Sequence, residues 1–125
     1  AKTLFPYTTL FRSVLDTEIR EALAAGARFI LILGGSGFGV GNYAPEVVRS
    51  IIEVEIPGIA EQIRAHGLTN TPLSGLSREV VGVTARDSSG ALIISSPGSH
   101  GGALDTLEVV TPLLPAIFHQ LDEQR

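Results

Sequence analysis

The chain has 125 residues, a net charge of −4 and 44% hydrophobic content, enough for one domain with a sizeable buried core. Its nine Lys and Arg are scattered singly and form no basic stripe, which argues against a nucleic-acid partner. No apolar run approaches the ~18–20 residues of a membrane span and no signal-peptide pattern is present; with no cysteine to form disulfides or thiolate metal sites, the expectation is a soluble cytoplasmic protein with no membrane partner.

The opening segment LFPYTTLFRS, Leu4 to Ser13, looks like the translation of a widely used sequencing adapter. Residues 1–13 are therefore set aside as a non-native segment, and residues 14–125 are read as the domain. The alternative is a genuine β-hairpin arm rich in Phe, Tyr and Thr. From Asp16 to Ala25 the apolar positions Ile19, Leu23 and Ala24 suit an amphipathic helix, which Gly26 ends. RFILIL follows, a short apolar run typical of a strand covered on both faces. After a glycine-rich loop, Pro45 suits a first helical position, and Val47, Val48, Ile51 and Ile52 extend an apolar stripe to about Val54. Pro57 restarts a helix that ends at Gly67, and Thr71-Pro72 caps a short one through about Ser77. VVGVT (80–84) and ALIIS (91–95) read as a hairpin across the polar turn ARDSSG. A second glycine loop, SPGSHGG, precedes a C-terminal helical pattern that Pro112 or Pro115 kinks or splits. Alternation of helices and strands predicts a three-layer α/β/α domain.

The first loop, GGSGFGVGN, fails the dinucleotide pattern, since Gly35 and Gly37 would require glycine where Val40 stands. It also lacks the P-loop lysine and the G-x-S-x-G of a nucleophile elbow. On composition, a ligand-free strand-to-helix turn and a ligand loop both remain open. Two points favour a ligand: five glycines exceed what a turn requires, and each costs entropy to order. The loop also leads from a buried strand into a helix N-terminus, where free N–H groups and the dipole favour an anion. SPGSHGG follows a strand as well, so both loops can face one crevice.

LGGSGFGVGNYAPE is similar to the T-G-G-T-G-x-x-x-R-D-x-T-P-E motif of the MoaB/Mog family of molybdenum-cofactor biosynthesis proteins. EVEIPGIAEQIR resembles its D-R-E-x-P-G segment, TPLSGLSREVVGV its T-P-x-A-x-L-S-R-x-x-A-G segment, and LIISSPGS its L-I-x-N-x-P-G-S loop. The resemblance spans roughly residues 16–122. It implies a molybdopterin-binding domain with a mostly parallel sheet, often trimeric, here lacking the family's first strand–helix–strand and so leaving a bare sheet edge. It further implies molybdopterin as ligand, with ATP and Mg²⁺ where the pterin is adenylylated; a binding or scaffold member without catalysis is the alternative. By position, Gly34, Gly35, Ser36 and Gly37 would line the pterin-phosphate or nucleotide site. Glu55, Ser77, Arg78, Pro97, Gly98 and Ser99 match further motif residues. Asn42 stands where the motif carries its catalytic-site aspartate, Gly41 at its arginine, Ser95 at its asparagine and Ala44 at its threonine. An amide oxygen can meet Mg²⁺ but brings no carboxylate charge. Ala44 leaves the helix without an N-cap unless Asn42 or Ser36 supplies one.

Glu53 and Glu55, two apart near an expected helix end, would diverge by about 200°; Glu53 is read as solvent-facing, and Glu55 is open between a capping and a site role. Arg78 is open between phosphate binding and surface pairing. His66, His100 and His119 share no metal-ligand spacing and read as surface residues, His100 with a lesser claim to touch ligand. Asp105 reads as a helix N-terminal residue.

Overall fold

Aliphatic runs too short for independent helices and covered on both sides form the centre of the fold. The computed structural model describes residues 12–123 and, as backbone, residues 2–6. In chain order it contains β1 (Lys2–Pro6), α1 (Arg12–Ala24), β2 (Phe29–Leu33), α2 (Ala44–Ile51), β3 (Val54–Glu55) and α3 (Pro57–Leu68). A 3-10 turn at Pro72–Leu76 leads to β4 (Val81–Val83) and β5 (Leu92–Ser96). The chain closes with α4 (His100–Val110), a 3-10 turn at Thr111–Leu113 and α5 (Leu114–Asp122). Pro112 and Pro115 fall where α4 gives way to α5, as the missing N–H groups require.

The strands form one sheet in the order β1-β2-β5-β4-β3. The pairs β1·β2 and β2·β5 are parallel, and β4·β5 and β3·β4 antiparallel. The sheet is thus half parallel rather than mostly parallel, because the 80–95 hairpin and its neighbour add antiparallel strands. Successive residues point to opposite faces. Phe29, Leu31, Val81, Leu92 and Ile94 therefore pack beneath Ile59 and Ile63 of α3, Val110 of α4 and Leu121 of α5. Ile30, Ile32 and Ile93 pack against Leu15 and Ile19 of α1 and Val47 and Val48 of α2. Two cores on one sheet make the three layers expected from the sequence.

Three boundaries differ from expectation. Lys2–Pro6 pair in register with Phe29–Leu33, so the β2 edge expected to be bare is covered, and α1 begins at Arg12, inside the segment set aside. Residues 7–11 of the adapter-like string lie outside the described residues. The helix expected to reach Val54 stops at Ile51, and Val54–Glu55 form a strand instead. Backbone pairing decides this: Glu53 N donates to Val83 O at 2.9 Å and Ile56 N to Val81 O at 2.8 Å. Gly82 makes the approach possible, because a Cβ there would lie 2.6 Å from Val54 O. The residues from His100 to Asp122 also form a 23-residue helical stretch long and apolar enough to cross a membrane by length and composition, which inspection for an unbroken apolar run misses. In the fold this stretch turns Val110 and Leu121 into the core.

Candidate functional site

The carboxyl ends of β2 and β5 lead into the two glycine loops, which meet backbone to backbone. Gly34 N donates to Ser96 O at 2.9 Å, and a Cβ on Gly98 would sit 3.0 Å from Gly34 Cα. Gly34 and Gly35 take positive φ of 101° and 71°, conformations that other residues rarely adopt. The turn directs its carbonyls into the protein: Gly35 O accepts from Ala44 N, Ser36 O from Arg78 N, and Gly37 O from Arg78 Nε. The amides of Gly35, Ser36 and Gly37, in contrast, have no partner among the described residues.

These amides border a cavity of about 580 Å³. Pro97, Gly98 and Ser99 face them from the second loop, where Ser99 Oγ caps α4 by accepting from Gly102 N at 3.1 Å. Ser77 lines the cavity too; its Oγ accepts from Glu79 N at 3.2 Å. Ile63, Leu73 and Leu76 supply an apolar wall. The described lining contains no Lys or Arg side chain, so an anion here meets amide and helix dipoles rather than cations.

Gly34, Gly35, Ser36, Gly37, Asn42, Ser77, Pro97, Gly98 and Ser99 thus share one cavity wall, and three other candidates stand apart. Glu55 lies on β3, exposed, with Arg49 Nε 3.4 Å from its Oε1, so neither it nor Glu53 ends a helix. Ser95 is fully buried, its Oγ accepting from Val80 N at 2.8 Å. Arg78 braces the loop instead of lining the cavity. Its guanidinium donates to Gly37 O, to Asn42 O at 2.9 Å and to both carboxylate oxygens of Glu46. That pairing holds the Glu46 carboxyl below, and the Arg78 guanidinium above, its ordinary range.

The expected anion site at the α2 N-terminus is also filled. Ala44 N is taken by Gly35 O, Pro45 has no N–H, and Glu46 occupies the first turn. Neither Asn42 nor Ser36 caps the helix; Tyr43 precedes it without a side-chain bond to the cap. Asn42 Nδ2 instead donates to Gly39 O at 3.2 Å and staples the loop tip. Beside Asn42 the nearby carboxylate is Glu46, already paired with Arg78, so this corner offers Mg²⁺ no free carboxylate among the described residues.

Glu79 and Asp105 are cavity residues that spacing did not reveal. Asp105, expected at a helix N-terminus, sits mid-helix in α4 and is buried, its Oδ1 accepting from Asn70 Nδ2 at 3.1 Å. His66, read as a surface residue, approaches Asp105 and bonds Glu108 Oε2 at 2.7 Å; a group of three donor atoms within 4.8 Å results, with the imidazole already partnered. Glu79 is 3% exposed, and Thr106 Oγ1 lies 2.9 Å from its Oε2. Burial pushes its carboxyl up to about 8, against the pull of Thr106 and Arg64 and with a smaller push from Asp105. His100, exposed at the start of α4, is not in the lining.

A cavity at the carboxyl ends of adjacent parallel strands is the place where open α/β sheets collect small ligands. Residues 13–116 match the family model described as probable molybdopterin binding domain, and the chain belongs to that family. The molybdenum cofactor biosynthesis bifunctional protein of Synechococcus elongatus is 31% identical over 103 residues, 82% of this chain but 31% of that protein. Among solved structures, the molybdopterin biosynthesis enzyme MoaB from Thermus thermophilus superposes with a TM-score of 0.79 at 34% identity, covering 92% of this chain and 70% of that one. The molybdopterin biosynthesis Mog protein from Mycobacterium ulcerans superposes with a TM-score of 0.87 at 25% identity, covering 99% and 97%. The MoaB/Mog resemblance read from the motifs is therefore correct.

Proposed function

We propose that this chain serves molybdenum cofactor biosynthesis by binding molybdopterin, with the pterin's phosphate on the open amides of Gly35, Ser36 and Gly37. The carrying observation is that these three residues line the cavity and their N–H groups have no acceptor among the described residues, while their carbonyls are all engaged. Gly35 and Gly37 are half-buried and Ser36 is buried, so an anionic ligand would take the place of water at these donors. Ser77 and the Pro97–Ser99 loop close the same space, and relatives named for molybdenum cofactor biosynthesis share the fold. A cytoplasmic location and assembly as a homotrimer or higher oligomer belong to the same proposal.

Adenylylation by Mg-ATP is the second half of the proposal and has weaker support in the residues. Asn42 offers no charge to a metal, and no cationic side chain in the described lining meets a triphosphate. These features favour the alternative, a catalytically inactive molybdopterin-binding or scaffold protein. Incubating the purified chain with molybdopterin, alone and with ATP and Mg²⁺, tests both: saturable binding without adenylylated product supports the scaffold, and product formation supports the enzyme. Absence of molybdopterin binding overturns the proposal.

A further inference from the structure

Glu79 is one of two positions that the L-S-R-x-x-A-G pattern leaves unspecified, so its carboxyl is a feature of this chain rather than of the motif. It borders the cavity, and its Oε1 is closed to solvent with no partner among the described residues. Native proteins leave few buried polar atoms unpaired, and an orphan in a cavity wall is explained when the missing partner comes with the ligand.

The two oxygens of Glu79 differ in their surroundings: Oε2 meets Thr106 and Oε1 meets no partner among the described residues. Thr106 has one hydroxyl proton, and Oγ1 lies 2.9 Å from both Gly102 O and Glu79 Oε2. Ser96 Oγ lies 3.0 Å from Pro97 O and 3.2 Å from Thr106 Oγ1, so Gly102 O is one of three acceptors within reach of the Thr106 proton. Oε1 is an acceptor in either state: with Glu79 ionised Thr106 donates to Oε2, and with Glu79 protonated at Oε2 that oxygen donates to Thr106 Oγ1. Arg64 does not partner Oε1: its Nη1 is directed to the backbone oxygens of Ser77 and Glu79. Asp105, on the neighbouring position of α4, adds a second carboxyl to the same wall. The cavity thus combines donors on the glycine corner with acceptors near Glu79.

We propose that Glu79 is a ligand-recognition residue whose Oε1 accepts a hydrogen bond from a ring N–H or exocyclic amine of an aminated nitrogen heterocycle carrying the anion. This inference rests on the reading of the cavity as a pterin-phosphate site. A residue that only supports the fold would shift affinity for every ligand alike, whereas an acceptor for ring N–H groups acts only on ligands that have them.

The experiment is a pair of titrations on the full chain, with a pterin bearing a phosphomonoester and with phenyl phosphate, which keeps the anion but has no ring donor. Wild type is expected to bind the pterin phosphate more tightly. E79M, which removes the acceptor, is expected to weaken pterin phosphate binding about tenfold and to change phenyl phosphate binding less than about twofold, on the scale of one lost hydrogen bond. E79Q, which keeps the carbonyl oxygen and the donor to Thr106, retains wild-type discrimination, and thermal unfolding confirms that both variants fold. Unchanged discrimination in folded E79M overturns the inference and leaves the cavity reading intact. Failure of wild type to bind either probe overturns the cavity reading and the inference with it.

Discussion

Two glycines determine whether the cavity can exist. Gly98 lets the second loop touch the backbone of Gly34, and the contact holds the open amides of Gly35 to Gly37 against the Pro97–Ser99 corner. A side chain at position 98 must displace that backbone, and overpacking of this kind costs about 1–3 kcal/mol. Gly98→Val is therefore expected to weaken phosphate-ligand binding tenfold or more, read by calorimetry, with a smaller fall in thermal stability. These small residues were legible in the sequence because their function is the absence of a side chain, which one chain reveals directly. Glu79 was not legible: beside Arg78 it reads as one more surface charge, and the partner it meets in the interior, Thr106, lies 27 positions away.

Among the elements, Arg78 does more than its motif position suggests. It ties the glycine loop, through Gly37 O and Asn42 O, to Glu46 of α2, so loop and helix hold each other. The Glu46 pair is about one-third exposed, which screens it, but the bonds to backbone carbonyls fix the loop's shape. Arg78→Ala is expected to destabilise the chain by on the order of 2 kcal/mol and to raise hydrogen exchange in residues 37–42. Arg78→Lys recovers little, because an ammonium cannot span the same acceptors. The fold's long elements were readable from apolar spacing, α1, β2, α3 and the 80–95 hairpin among them. The end of α2 was not: Val54 fits a helical stripe equally well, and what makes it a strand is the close approach to β4 that Gly82 permits. Likewise, nothing in the spacing of Pro45 shows that the α2 N-terminus is filled by Gly35 O and Glu46.

For the molecule as a whole, the buried carboxyl of Glu79 links stability to pH. Its carboxyl titrates near 4.5 when unfolded and about 8 when folded. Between these values the folded chain holds a proton that the unfolded chain has released, so this group's contribution to stability falls as pH rises. It is fully favourable below about pH 4.5 and exhausted above about pH 8. The limiting slope for one proton is about 1.4 kcal/mol per pH unit. Glu79→Gln is expected to flatten the pH dependence of urea unfolding between pH 5 and 8. An unchanged slope would place that proton elsewhere.

The lack of Lys and Arg in the described cavity lining has a consequence for how a ligand arrives. The partial charges of peptide amides act over contact distances, and the chain as a whole carries a net charge of −4. A phosphorylated molecule approaching from afar therefore feels weak repulsion and is captured only on close contact. Delivery by direct handover from another protein would bypass that barrier, because the cargo would never cross open solvent.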